Sequence, residues 1–563
     1  MKKNRVLFIS DFTIDNLSNL FKKGPIQEEY EILDNPQGSV ISNLLNLDFE
    51  KINFCVVWTQ PESIIPEFNH VTEMKDTSTE LLYKSVDHYT NLLKKTAKKV
   101  GILIVPIWTN NPYQRGLGIN DLKEYGLSRK IMEMNHRLIN NLNDESNIFL
   151  LDTNRWLNMV GSKSYSPKLW YRSKVLFNAE FFKKAYKEIL SVFNAVKGKS
   201  KKILFLDLDN TLWGGILGDD GIDNLSLGGH DELGEAYVDF QNSLLSLKRR
   251  GIILAIVSKN NENIALHAIE NHPAMILKKD DFSSWRINWE DKAKNIIEIL
   301  NELNLGSHSA VFLDDSPTER LRVKQAIPEV YVPDLPINPM LYNNFLNNLD
   351  CFDSIEETYE DSMRAEMYQQ ESQRKIIMEE LSTISEWIDS LNIKIMISTL
   401  NKTNLKRAGQ LLNKTNQMNL ATRRVVENDF MKFSEDHAVK VLTLNVKDQF
   451  GDYGLTGILS LQIKGLILEV KDYVLSCRVL GRSVEESMIH ISYTHALKCK
   501  AKEIHFPFIK TEKNNPCFLF TQALLIDSKT SPFSLSVLLS IKLTFVLITL
   551  VDLLLNDTSP FRV

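Results

Sequence analysis

Short apolar runs separated by polar stretches recur up to about residue 195: Val6–Ser10, Phe54–Trp58, Gly101–Trp108 and Asn147–Leu151. Runs of this length read as strands, and longer amphipathic stretches such as Glu80–Val100 read as the helices between them. Their alternation predicts a parallel sheet wrapped by helices. The polar segment Lys197-Gly198-Lys199-Ser200-Lys201-Lys202 interrupts the pattern and marks a domain boundary. Alternation then resumes with strand Ile203–Leu206, helix Gly234–Arg250, strand Ile252–Val257, helix Asp291–Leu303 and strand Ala310–Leu313. It ends in the proline-rich stretch Pro333–Pro339, and a charged helical stretch from Ser354 to about Ser390 leads into a third block.

That block mixes strands (Lys394–Ser398, Lys440–Val446, Gly457–Ile463, Leu466–Val470, Tyr473–Ser476) with helices (Asn404–Leu412, Val484–Lys498), an α+β pattern. The prediction is an α/β multidomain chain with domains at 1–196, 201–350 and 351–516, followed by an atypical hydrophobic tail at 517–563. No internal repeat or low-complexity segment is visible.

Composition narrows the function classes. Of 563 residues 43% are hydrophobic and 24% charged, values of a folded globular chain rather than a disordered or fibrous one. Sixty-six basic against 71 acidic residues leave a charge of −5, too balanced for a broad nucleic-acid footprint. The five cysteines form no CxxC pair, which argues against a zinc knuckle or a disulfide framework and for a reducing cytoplasm.

The chemistry gathers at the strand ends of the second block. Asp207-Leu208-Asp209-Asn210-Thr211 follows the first strand; in extended backbone Asp207 and Asp209 project to one side while Leu208 faces the core. Strand ends are where open α/β sheets carry ligand sites, and two neighbouring carboxylates call for a hard cation such as Mg²⁺. The next strand ends in Ser258-Lys259-Asn260, Lys292 opens the following helix, and the third strand runs into Asp314-Asp315. Single acidic or amide residues after strands are commonly caps or turns. Four such features in one block are a stronger signal.

DxDxT, Ser, Lys and DD in this order resemble the four motifs of the haloacid dehalogenase (HAD) superfamily. The resemblance implies that Asp207 attacks phosphorus to form an aspartyl-phosphate and that Asp209 acts as general acid, then base. It implies that Ser258 and Lys292 hold phosphoryl oxygens, and that Mg²⁺ is bound by Asp207, Asp314 and the backbone carbonyl of Asp209, with Asp315 in an outer role. Thr211, Trp213 and Asn260 are candidate substrate-binding residues. The segment Thr211–Val257 is filled by a glycine-rich hairpin, one helix and one strand, which leaves no room for a large cap domain over the site.

Leu206–Gly215, Gly218-Asp219-Asp220-Gly221, Asn288–Ala293, Phe312–Arg320, Lys414–Leu420, Phe450–Leu455 and Ser476–Arg482 together resemble the FkbH-like branch, the uncapped subfamily IIIC. That resemblance spans roughly residues 1–516. It implies an SGNH-hydrolase-like doubly wound domain, an uncapped HAD-like Rossmannoid domain and an α+β acetyltransferase-like (GNAT) domain. Members take a glyceryl unit from a bisphosphorylated glycerate, discard phosphate and load the acyl group onto the phosphopantetheine thiol of an acyl carrier protein; others serve surface-polysaccharide pathways. The alternatives are a simple phosphatase for a free small metabolite and a non-catalytic carrier-docking module.

The first module departs from an SGNH hydrolase: Ser10-Asp11-Phe12 stands where Gly-Asp-Ser is usual, and Arg155 stands three residues after Asp152 where a histidine is expected. No triad is readable, which points to a docking or structural role. In the third module Arg478, Gly481 and Arg482 form a candidate loop for the phosphates of pantetheine or coenzyme A at a helix start. Cys477 is a candidate acyl-accepting thiol, with a buried filler as its other reading. Lys414, Asn416, Arg423 and Arg424 are a polar stretch that either meets an acidic partner or is simply solvated.

Residues 536–556 approach the length of a membrane span but contain Lys542 and Asp552, each costing about 2.5–3.5 kcal/mol at a bilayer centre. Abrupt loss of pattern after Pro516 therefore favours a shifted reading frame over a membrane-associating tail.

Overall fold

The computed structural model describes residues 3–24, 27–75, 77–110, 114–229, 231–303, 305–355, 374, 383–415, 417–421, 423, 425, 427–511, 514–526 and 561–562. The chain divides into two compact units, Met1–Lys201 with Asn348–Glu356, and Lys202–Asn347 with Glu357–Val563.

In the first unit, β1 (Asn4–Ser10), β2 (Tyr30–Leu33), β3 (Phe54–Trp58), β4 (Ile102–Pro106) and β5 (Ile148–Leu151) form a parallel sheet in the order β2-β1-β3-β4-β5. Strand alternation separates two cores. Leu7, Ile9, Cys55, Val57, Leu103 and Val105 face one core; Val6, Phe8, Phe54, Val56, Trp58 and Ile104 face the other. The helix expected over Glu80–Val100 spans Thr79–Ala97 and covers the first face with Leu82, Val86, Tyr89 and Leu93. β2 gives no apolar run because Glu31 interrupts its four residues, of which only Tyr30 is buried.

The second unit holds two sheets. β6 (Ile203–Leu206), β7 (Ile253–Ser258), β8 (Ser284–Ile287) and β9 (Ala310–Leu313) form a parallel sheet in the order β8-β7-β6-β9. β6 and β9 are wholly buried, as parallel strands covered on both faces are. β8 is another edge strand, and its SWRI sequence carries no apolar run. Helices Glu232–Arg249 and Lys292–Glu302 match their predicted positions to within two residues.

The other sheet comprises β10 (Lys394–Thr399), β11 (Met418–Asn419), β12 (Val439–Lys447), β13 (Asp452–Lys464), β14 (Ile467–Leu475), β15 (Glu503–His505) and β16 (Phe561–Arg562). Its order is β11-β14-β13-β12-β10-β16, antiparallel throughout, with β15 added parallel to β14. The two strands read at Leu466–Val470 and Tyr473–Ser476 are one strand, β14. Its register slips opposite Ser460/Leu461, where Asp472 pairs with Ser460 and Val470 with Leu461, so Lys471 is the extra residue of a bulge. Among the described residues no helix is long and apolar enough to cross a membrane. The tail is described only at helix Asn515–Ile526 and at β16. Its stretch 536–556, like most of the charged stretch from Ser354 to Ser390, lies outside the described residues.

Candidate active site

β6 delivers the first two carboxylates. The Asp207 amide donates to the Leu313 carbonyl at 3.1 Å, which extends the β6–β9 ladder by one step, and Leu208 is fully buried. The chain then turns at Asn210, whose φ of 56° lies in the left-handed region that asparagine tolerates. That turn is held from several sides. The Gly215 amide donates to the Asn210 side-chain oxygen at 3.0 Å, and the Tyr237 and Tyr342 hydroxyls both donate to its carbonyl at 3.3 Å. Gly214 pairs with Ser226 in a two-way backbone bridge. A Cβ on Gly214 would lie 2.8 Å from the Tyr237 ring and 2.9 Å from the Ser226 Cβ, so only glycine fits.

Lys292 is 3% exposed, and its Nζ lies 2.9 Å from Asp207 Oδ2 and 2.6 Å from Asp314 Oδ2. Asp207 Oδ1 is buried without a hydrogen-bond partner. Carboxylate oxygens of Asp207, Asp314 and Asp315 all lie within 4.8 Å of one another. Burial lifts the Asp314 carboxyl to about 7, with the Asp207 charge adding to it. Asp315 is raised for the same two reasons. Burial pulls the Lys292 ammonium down, but the charges of Asp207 and Asp314 outweigh it and leave the ammonium raised. Three carboxylates against one ammonium leave excess negative charge in a buried space. Together with the unpartnered Asp207 oxygen, this donor set fits a hard divalent cation such as Mg²⁺. The Asp209 side chain lies outside that trio.

Asp209 has its own cradle. Oδ1 accepts from Trp213 Nε1 at 2.9 Å and from the Leu217 amide at 3.2 Å, while Oδ2 accepts from Asn260 Nδ2 at 3.0 Å. Burial raises its pKa despite these donors. Trp213 and Thr211 are fully buried: the indole reaches Asp209 and the Thr211 hydroxyl accepts from the Asp315 amide at 3.2 Å. Both sit behind the carboxylates and position them. Ser258 ends β7, buried at the same sheet edge.

Two residues were not singled out as site residues by sequence. Buried Arg320 donates to the carbonyls of Asp314 and Asp315, both at 2.7 Å, and fixes the acidic pair from the following helix. Fully buried Gln241 donates to the Leu212 carbonyl at 2.9 Å and accepts from the Ile276 and Leu277 amides. Arg320 falls in a motif stretch; Gln241 gives no signal beyond a polar residue on a helix face.

The remaining candidates are dispersed. Phe12 is buried edge-on against Trp58 and Phe177, Asp152 caps helix Thr153–Val160, and Arg155 pairs with Glu188. Asp11 accepts from the Gln60 amide and the Ser63 hydroxyl. In the third block Cys477 is exposed in a short turn. The Gly481 amide donates to Glu485 Oε1 at 2.6 Å; Arg482 donates to the Arg478 carbonyl and stacks over Trp387 and Tyr453. These groups do not fit a diphosphate, because the amide that would meet it already holds a carboxylate. Arg423 is committed to Asp472 at 2.5–2.6 Å and lies over Phe433. Asn416, Arg424 and the Lys414 side chain lie outside the described residues.

No family model matches the chain, and no curated protein matches it. Among solved structures, the N-terminal part of the protein BF1531 from Bacteroides fragilis, described as containing a phosphatase domain and complexed with Mg, is 27% identical. It aligns over 63% of this chain and 95% of its own, with a TM-score of 0.57. The acetylxylan esterase Axe2 from Geobacillus stearothermophilus (11% identity, 33% of this chain and 92% of its own, TM-score 0.25) is a more distant likeness. So is a GNAT family acetyltransferase from Staphylococcus aureus (13%, 20% and 84%, TM-score 0.16). The first likeness and the site geometry agree: this is a mixed α/β multidomain chain that is similar, over nearly two thirds of its length, to a protein with an Mg-bound phosphatase domain.

Proposed function

We propose that the protein is an Mg²⁺-dependent phosphatase of the FkbH-like type that acts on a phosphorylated small acid resembling glycerate and works with an acyl carrier protein. The observation that carries the reading is the cluster of buried Asp207 and Asp314, bridged by Lys292, with half-buried Asp315 beside them and one Asp207 oxygen left unpartnered. The relative crystallised with Mg supports the choice of metal. A bound Mg²⁺ offsets charge on the phosphoryl group and on the carboxylates around it.

Asp207 attacks phosphorus as the bond to the leaving oxygen breaks, giving an aspartyl-phosphate. Asp209, held by Trp213, Leu217 and Asn260, gives its proton to the leaving oxygen. It then takes one from the water that cleaves the phosphoenzyme. Lys292 and Ser258 hold the phosphoryl oxygens as charge develops.

On a bisphosphorylated glycerate the carrier thiol attacks the acyl carbon, the carbon–oxygen bond to the carboxyl phosphate breaks, and phosphate departs with the thiol proton. The remaining phosphate ester is hydrolysed at Asp207. In a relayed route the thiol of exposed Cys477 makes that attack on the acyl carbon and expels phosphate, and the carrier thiol then attacks the Cys477 thioester, taking the acyl group and returning a proton to the cysteine sulfur. A carrier-borne arm suits the third block better than coenzyme A, whose diphosphate would meet Glu485.

The test incubates the purified protein with Mg²⁺, a 1,3-bisphosphorylated glycerate and a phosphopantetheinylated carrier, and follows phosphate and carrier mass. The reading expects phosphate release and a glyceryl mass gain on the carrier. Release without a gain supports a simple phosphatase, and no release overturns the enzyme reading.

A further inference from the structure

The first unit also sets a buried charge beside open space. A cavity of about 530 Å³ lies between the start of helix Thr79–Ala97, the start of helix Leu127–Leu142 and the turn after helix Pro66–Thr72. That is the size of a small-molecule site. Lys130, only 4% exposed, lines it, and its Nζ donates to the hydroxyl of Thr79, another lining residue, at 2.6 Å. Glu133 Oε2 stands 3.5 Å from the ammonium and makes no hydrogen bond, while Oε1 of the same carboxylate holds Arg129 at 2.5 Å. Among the described residues the Lys130 ammonium therefore makes one hydrogen bond of the three it can donate. A buried ammonium so poorly matched is costly, and an acceptor that enters the cavity offsets the cost.

The other charges lining the cavity are in solvent. Lys75 pairs with Glu73 at 2.5 Å, and Glu124 is exposed, so water and salt screen both. The buried ammonium thus sets the sign of the ligand, and the neighbouring backbone sets its kind. A phosphate calls for several donors at once, but the amides of Leu117, Leu127 and Ser128 already donate to buried Asp121 at 2.9–3.0 Å. One ammonium beside occupied amides suits a single carboxylate. Along the walls Thr72, Thr77 and Gln114 supply two hydroxyls and an amide, and Tyr125 supplies an aromatic residue. We infer that this cavity binds a hydroxylated organic acid, with the carboxylate on Lys130 and the hydroxyls on the threonines and Gln114. The site lies wholly in the first unit and does not depend on the reaction at Asp207.

Calorimetric titration of the full chain tests this, with glucuronate as the probe and glucose as the same ring without the charge. EDTA is present throughout to keep Mg²⁺ from the Asp207 cluster. The site predicts saturable glucuronate binding in the millimolar range, about 10-fold tighter than glucose and not displaced by an equal concentration of glucose 6-phosphate. Lys130→Met should weaken glucuronate binding about 10-fold and abolish the preference over glucose. Thr79→Val, which removes the hydroxyl that orients the ammonium, should weaken it about threefold and provides the reading where Lys130→Met does not fold. Absence of glucuronate binding, equal affinity for glucose, displacement by glucose 6-phosphate, or unchanged binding in either folded variant overturns the inference.

Discussion

Asp209, the proposed proton-transfer group, is held in place by its neighbours. Its carboxylate is anchored by the Trp213 indole, the Leu217 amide and the Asn260 side chain. Asn260→Ala should lower kcat by about 10-fold with little change in KM, because it loosens the proton-transfer group without touching ground-state binding. Steady-state kinetics that show the loss in KM instead would assign Asn260 to substrate. Three of the four motif positions were legible in sequence because each follows a buried strand, and Lys292 because it opens an amphipathic helix. The residues that hold them were not: the tyrosines at 237 and 342 reach Asn210 from far along the chain, and nothing local marks a tyrosine hydroxyl as a donor to a distant carbonyl.

At the scale of elements, strands with an unbroken apolar run announced themselves, edge strands β5 and β9 included, and β2 and β8 did not. Glu31 interrupts β2 and Arg286 interrupts β8, and the bulge at Lys471 split β14 in two when read by alternation alone. Two joints between elements carry predictions. Arg320 joins helix Pro317–Ala326 to the acidic strand end; Arg320→Met leaves two carbonyls without their donor and should cost about 2–4 kcal/mol in denaturant unfolding, with weaker Mg²⁺ binding by calorimetry. Gly214→Ala forces the hairpin against Tyr237 and should destabilise by about 1–3 kcal/mol in the same assay.

A third joint lies in the first unit, where Lys197 and Lys199 reach Glu29. Hydrogen bonds from the two lysines lower the Glu29 carboxyl to about 2. A depressed carboxylate stabilises the fold above its unfolded value of about 4.3 and loses that contribution as pH falls through about 2. Glu29 is 41% exposed, so solvent screening limits the effect: Glu29→Gln should cost about 0.5 kcal/mol at neutral pH, with the gap closing between pH 4.5 and 2. A gap that is constant across that range would remove the pair from the account.

Over the whole molecule, the alternating pattern marked strands in all three sheets, and the five cysteines are free thiols, as their spacing suggested. The sequence pattern did not reveal that Glu485 occupies the loop amide proposed for a cofactor phosphate, since a glutamate in a first helical turn reads as ordinary dipole compensation. The central claim is that a buried, metal-dependent aspartate at the end of β6 takes the phosphoryl group. The most direct test quenches the enzyme during turnover with Mg²⁺ and maps the phosphorylated peptide by mass spectrometry. The account predicts a phosphoryl group on Asp207 that disappears without Mg²⁺ and in Asp207→Asn, along with phosphate release. Phosphorylation at another residue, or undiminished turnover by Asp207→Asn, would contradict it.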